Sequence, residues 1–172
     1  MKNLSLLLIL IVSFNLIVAQ EESIRVEKDN ATDNWSGRYR LEIRNGDTYE
    51  DEPLIFVNIR KAQDINPEEV TPKYSFDLAR WIISTEGTDD EEIMHRFLYN
   101  LEEGENEYEQ FGWTDLYNDG KMECINAGHF FICKTTPNTT VNFGDDEAAF
   151  TESGIFGIRL HLGLFELYPV EE

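Results

Sequence analysis

Arg38-Tyr39-Arg40-Leu41-Glu42-Ile43-Arg44-Asn45-Gly46 alternates without a fault and then turns. Tyr39, Leu41 and Ile43 fall on one side, and the charges fall on the other. A period of two sorts these residues onto opposite faces of a strand, one face buried and one wet, whereas a helical period would mix them. Asn45-Gly46 follows at once, and both residues accept positive φ, which predicts a hairpin. The returning strand is either Asp47–Glu50 or one delayed past Pro53.

The same reading extends along the chain. Leu54–Arg60 is apolar and β-branched and reads as a strand. Asp64–Pro72 is a loop broken by Pro67 and Pro72. Tyr74–Thr85 reads as one long strand whose apolar phase changes at Arg80–Trp81, which predicts a bulge or a bend. Residues 88–103 support two readings. Thr88-Asp89-Asp90-Glu91 fits a capping box, with Ile93, Met94, Phe97, Leu98 and Leu101 as a helical stripe ended by Gly104. Ile93, His95, Phe97, Tyr99 and Leu101 also alternate, with Glu86–Asp90 as a turn, and the flanking strands favour this strand reading. Beyond Trp113 the chain reads as a meander, with turns at Asn118-Asp119-Gly120 and Asn126-Ala127-Gly128. Thr114–Tyr117 leads into the first turn and Lys121–Ile125 returns from it, His129–Cys133 runs back from the second, and Pro137–Val141 is a loop. Ile155–Tyr168 reads as a single long strand with Phe156, Ile158, Leu160, Leu162 and Leu164 on its apolar face, curved where Gly157 and Gly163 interrupt it. Seven or eight strands and at most one short helix predict a mainly β fold: an antiparallel meander closing into a barrel or sandwich.

The N-terminus carries an address. Met1-Lys2-Asn3 is positive, Leu4–Val18 is apolar apart from Ser5, Ser13 and Asn15, and Ala19 is small. That order is the pattern of a cleavable signal peptide over residues 1–19, and the apolar run is shorter than the roughly 20 residues a spanning helix needs. The expected domain plan is a signal peptide (1–19), a polar, flexible lead-in (20–34) and one β-rich domain (35–172). The expected location is secreted or periplasmic, with no membrane span left after cleavage. In that compartment Cys124 and Cys133 are expected to form a disulfide.

The full chain has 172 residues and a formal charge of −20, and removal of 1–19 takes away Lys2 and makes the remainder one unit more negative. Such a field repels nucleic acid and anionic membranes. The acidic runs 50–52, 89–92 and 145–147 read as solvated loops and caps. No spacing of His, Cys or acids marks a metal site, and no motif marks a cofactor. Asp115–Gly120 fails as a calcium loop because Tyr117 stands where an oxygen ligand is needed.

Trp35-Ser36-Gly37-Arg38-Tyr39, at the opening of the first strand, resembles the opening of lipocalin-like (calycin) β-barrel proteins exported by bacteria. The order departs from the common Gly-x-Trp, since Trp35 precedes Gly37. The resemblance implies an eight-stranded barrel whose mouth holds a small apolar ligand, and it carries over no binding residue.

Candidate ligand-binding residues are Trp35, Trp81 and Trp113, whose rings suit an apolar or sugar ligand, and His161, on the face of the last strand with Arg159 and Gly163. The sequons at Asn30, Asn34 and Asn138 matter only in a cell that glycosylates them. The leading expectation is an exported, non-enzymatic barrel that binds a small or apolar ligand. The alternatives are an envelope interaction module and a carboxylate-based glycan hydrolase.

Overall fold

The structure, a computed structural model, describes residues 33–44, 54–63, 65–74, 77–143, 147–159 and 163–171. The predicted signal peptide, almost all of the lead-in, the Asn45-Gly46 turn and His161 lie outside these residues. The unit described below is Asn34–Glu172.

Eight strands close into one antiparallel barrel: β1 (Gly37–Ile43), β2 (Ile55–Lys61), β3 (Arg80–Thr85), β4 (Glu91–Arg96), β7 (Glu123–Asn126), β8 (Phe130–Lys134), β11 (Ile155–Arg159) and β12 (Gly163–Pro169). Each pairs with the next in the chain, and β12 returns to β1, with Tyr39 opposite Pro169 and Ile43 opposite Phe165. Two hairpins interrupt this up-and-down order without joining the ring: β5 (Tyr99–Asn100) with β6 (Glu105–Asn106), and β9 (Thr139–Phe143) with β10 (Glu147–Thr151). Closure gives every strand of the ring a partner on both sides.

Alternation builds a core inside the ring. Tyr39, Val57, Ile59, Trp81, Ile83, Met94, Ile125, Ile132, Phe165 and Leu167 pack there, with Trp35 beside them. On β11 the inward position between Ile155 and Arg159 is Gly157, because Phe165 on the paired strand occupies the space. A Cβ at 157 would lie 2.5 Å from the Phe131 carbonyl oxygen and 2.6 Å from Cε2 of Phe165.

A second apolar cluster lies on the outside of the ring. Cys124, Cys133 and Phe156 face outward from β7, β8 and β11 and pack with Phe97, Tyr108, Trp113, Met122 and Val141 from the intervening segments. Cys124 and Cys133 are directly opposite in the β7–β8 register and form the expected disulfide. The Cys124 N–H donates to the Tyr108 hydroxyl at 3.1 Å, and burial pushes the Tyr108 pKa up despite that bond. The outer faces of β1, β2 and β4 carry Arg38, Arg40, Glu42, Arg60 and Glu91 instead, with ion pairs Arg38–Glu86 (2.7 Å) and Arg60–Glu91 (3.1 Å). Charge on this face is no lipid-facing band. Among the described residues no helix is long and apolar enough to cross a membrane.

The mainly β barrel agrees with the sequence reading, and 91–96 and 99–100 are strands rather than a helix. Four local expectations are corrected. Ile155–Tyr168 is not one curved strand but a hairpin, β11 and β12, with Arg159 opposite Gly163. Tyr74–Thr85 is not one bulged strand: Pro72–Tyr74 is a 3-10 turn, and the strand starts at Arg80. Arg80 is buried because its guanidinium donates to the carbonyls of Asp77 (2.7 Å) and Ala79 (2.8 Å). Thr114–Asn118 is a one-turn helix, α1, set against the outer wall through Leu116 and Tyr117, and Gly120 beyond it takes the positive φ expected of that turn. Residues 139–141, read as loop, belong to β9.

Candidate functional site: the open end of the barrel

The two ends of the barrel differ because of their connections. Long segments close one end: 62–79 between β2 and β3, 97–122 between β4 and β7, and 135–154 between β8 and β11. At the other end, among the described residues, the chain turns through 86–90 and 127–129, with positive φ at Gly87 and Gly128.

The closed end is plugged. The rings of Trp35 and Trp81 meet edge to face at 6.4 Å, and the Tyr39 hydroxyl donates to the Trp35 carbonyl at 2.7 Å. The Lys134 ammonium lies 4.9 Å from the Trp35 ring centre and donates to the Asn34 carbonyl. The Arg96 guanidinium lies 5.2 Å from the Trp81 ring centre and pairs with Asp77 at 2.8 Å. Cations over indole faces, each also held by an oxygen, fix the plug and cover its outer side.

The open end holds a cavity of about 260 Å³. Its apolar wall comes from Leu41 and Ile43 on β1, Ile55 and Val57 on β2, Ile83 on β3, Phe130 on β8 and Phe165 on β12. Most of this wall is the β1–β3 side of the ring. Asp90 and Glu92 at β4 and Arg159 at the end of β11 supply the charge. Those strands stand three apart around a ring of eight, so acid and base come from roughly opposite walls. A dry apolar cavity of about 150 Å³ already admits benzene, so this space suits a molecule of one or two rings or a medium acyl chain.

The β4–β7 seam shapes one side of the mouth. These strands pair at His95–Asn126 and Arg96–Ile125, and the Phe97 N–H reaches the Cys124 carbonyl at 2.9 Å. Among the described residues, the mouthward half of β4 has no strand partner on that side. There Glu92 reaches His129 of the β7–β8 turn, Oε2 to Nε2 3.1 Å.

Comparison with family models, with curated proteins and with solved structures finds no match. The site therefore rests on its own geometry.

Of the residues singled out from sequence, Trp35 and Trp81 are fully buried in the plug beneath the cavity, and Trp113 is buried in the outer cluster with its Nε1 donating to the Asn142 carbonyl at 2.6 Å. None of the three lines the mouth. His161 lies outside the described residues. The acids of the mouth, Asp90 and Glu92, both come from the start of β4. Asp90, Glu92, Arg159 and Phe165 were not singled out from sequence. The signal was in β4, where the inward face is Glu92 and Met94, while Ile93, on the face taken as apolar, is 61% exposed.

Proposed function

We propose that this protein is an exported, non-enzymatic barrel that binds a small apolar molecule in its open end. The 260 Å³ cavity with apolar walls and a charged rim carries the reading. Concave, mostly apolar sites with a few polar groups are what small-ligand pockets require, and barrel mouths are a common place for them. The plugged end supports it, since Trp35 and Trp81 fill the ring there and leave the cavity at the opposite end. Export is supported by the disulfide between Cys124 and Cys133 together with the signal pattern of residues 1–19. The eight-stranded up-and-down order is compatible with the calycin resemblance at the level of architecture.

Thermal unfolding with 1-octanol tests the binding. Saturation at 100 times Kd stabilises by about 2.7 kcal/mol, or roughly 5–10 °C for a chain of this size. Ile55→Trp fills the mouth with an indole and is expected to abolish the shift. An equal shift in wild type and variant, or none in wild type, would refute the reading. N-terminal sequencing of the exported protein is expected to begin at Gln20.

A further inference from the structure

Glu92 breaks the pattern of its own wall. It stands directly opposite Ile83 in the β3–β4 register and one inward step from Met94, which is fully buried. Leu41, Val57, Phe130 and Phe165 line the same cavity. A carboxylate at an inward position of an apolar wall costs desolvation, and local preference argues against it unless it has a use. Its partner within the protein is His129, through one contact of 3.1 Å. Among the described residues the other Glu92 carboxylate oxygen has no hydrogen-bond partner, and Asp90, just before β4 begins, lines the same cavity. Arg159, by contrast, is exposed at the end of β11 beside Gly163, at the rim and not within the wall.

The geometry points to an amphiphilic cation as the ligand: an apolar body in the cavity and an ammonium head between Glu92 and Asp90. This rests on the apolar-ligand reading above and adds the sign of the head group. An ammonium has three donors and no acceptor, so it can take the free lone pairs of both carboxylates at once. A charge-assisted bond at a half-desolvated carboxylate is roughly twice as strong as a neutral one. The chain's formal charge of −20 works in the same direction, attracting a cation to the mouth and repelling an anion. Arg159 is the group that would favour an anionic head, and the experiment gives it its own arm.

Three probes of equal chain length separate these cases: octylammonium, 1-octanol and octanoate, titrated calorimetrically into the purified protein at pH 7 and low salt. Octylammonium is expected to bind about tenfold tighter than octanol, which is the fold-change of one charge-assisted bond, and octanoate weaker than either. The octylammonium advantage should shrink as salt screens the acids. Glu92→Gln should bring octylammonium to within about threefold of octanol and leave octanol unchanged, while Asp90→Asn should have a smaller effect of the same sign. If Glu92→Gln does not fold, the order of the three probes on the wild-type chain decides by itself. Equal binding of octanol and octylammonium overturns the cationic head and leaves the cavity reading intact. Octanoate binding tightest, with that preference lost in Arg159→Gln, overturns it in favour of an anion. Failure of all three probes overturns both readings.

Discussion

Replacing Gly157 by alanine adds one carbon at a tight point in the barrel wall. The new Cβ would stand 2.5 Å from the Phe131 carbonyl oxygen on β8 and 2.6 Å from Cε2 of Phe165 on β12, and closer still to that ring's Cζ. Ordinary contact begins near 3.4 Å, so each neighbour must give by close to 1 Å. The Phe165 ring has an escape, toward the cavity it lines. The carbonyl has none, because it belongs to the paired strand β8. Alanine is the better strand residue by roughly 0.5–1 kcal/mol, while overpacking costs roughly 1–3 kcal/mol. With a backbone atom among those displaced, the upper end applies, and the net loss is about 2 kcal/mol. At 2–4 °C per kcal/mol for a chain of this length, Gly157→Ala should melt about 4–8 °C lower. The ring part of the clash can be isolated. Phe165→Leu should cost about 1 kcal/mol less in the Gly157→Ala background than in wild type, since the shortened side chain relieves the contact. Because the displaced ring intrudes on the mouth, Gly157→Ala should also weaken 1-octanol binding. Thermal or urea unfolding of the four proteins measures all of this. A Gly157→Ala protein as stable as wild type, or a double-mutant coupling near zero, would refute the close packing of Phe165 on Gly157.

Two more predictions concern groups away from the mouth. Glu166 is buried on the outer wall and accepts from Thr151 Oγ1 (2.9 Å), Ser153 N (2.6 Å) and Ser153 Oγ (2.9 Å), and it pairs with Arg44. Burial alone would raise its pKa, but the Ser153 N–H, the two hydroxyls and Arg44 outweigh burial and hold it below the ordinary value of 4.5. A depressed carboxylate stabilises the fold fully above that value and ceases to do so as pH falls through the folded pKa. Glu166→Gln should therefore be less stable than wild type at pH 7, and the difference should close as pH is lowered below about 4.5. A pH-independent difference in urea midpoints would sink this account. Reduction of Cys124–Cys133 reopens a loop spanning a sequence separation of 9 and should cost about 2.5 kcal/mol by loop-closure entropy. A melting curve unchanged by reductant, with free thiols confirmed by alkylation, would contradict that value.

The strands were legible where one face is buried and the other is wet. β1 alternates along its whole length because its outer residues meet water and its inner residues meet the core. The reading failed where that contrast disappears. β11 and β12 are apolar on both faces, since Phe156 and Leu164 pack into the outer cluster while Phe165 and Leu167 fill the ring. Their connection carries Leu160 and Leu162, without the Asn-Gly or Pro that marks a turn, so two strands read as one. On β4 the exposed Ile93 outweighed the inward Met94 in the pattern and reversed the assignment of faces. The site was less legible for a different reason. A tryptophan advertises apolar volume without saying whether that volume is filled by the protein itself, and Trp35, Trp81 and Trp113 all meet protein. A cavity is the space that residues from six or more strands leave unfilled, and no local spacing encodes it.

The outer apolar cluster divides the ring into two unlike halves. β7, β8 and β11 are packed on both faces, and they and their covering segments come from one unbroken stretch of chain, 97–159. β1, β2 and β3 are packed mainly on one face and show much of the other to water. Opening free energies follow such differences in burial. Amide hydrogens should accordingly exchange slowest in β7 and β8 and fastest in β2 and β3, as two cooperative units within one barrel. The cavity draws most of its wall from the faster unit and is backed by the slower one. On the binding reading, the wall expected to open more easily would adjust to a ligand while the wall expected to open less keeps the ring closed.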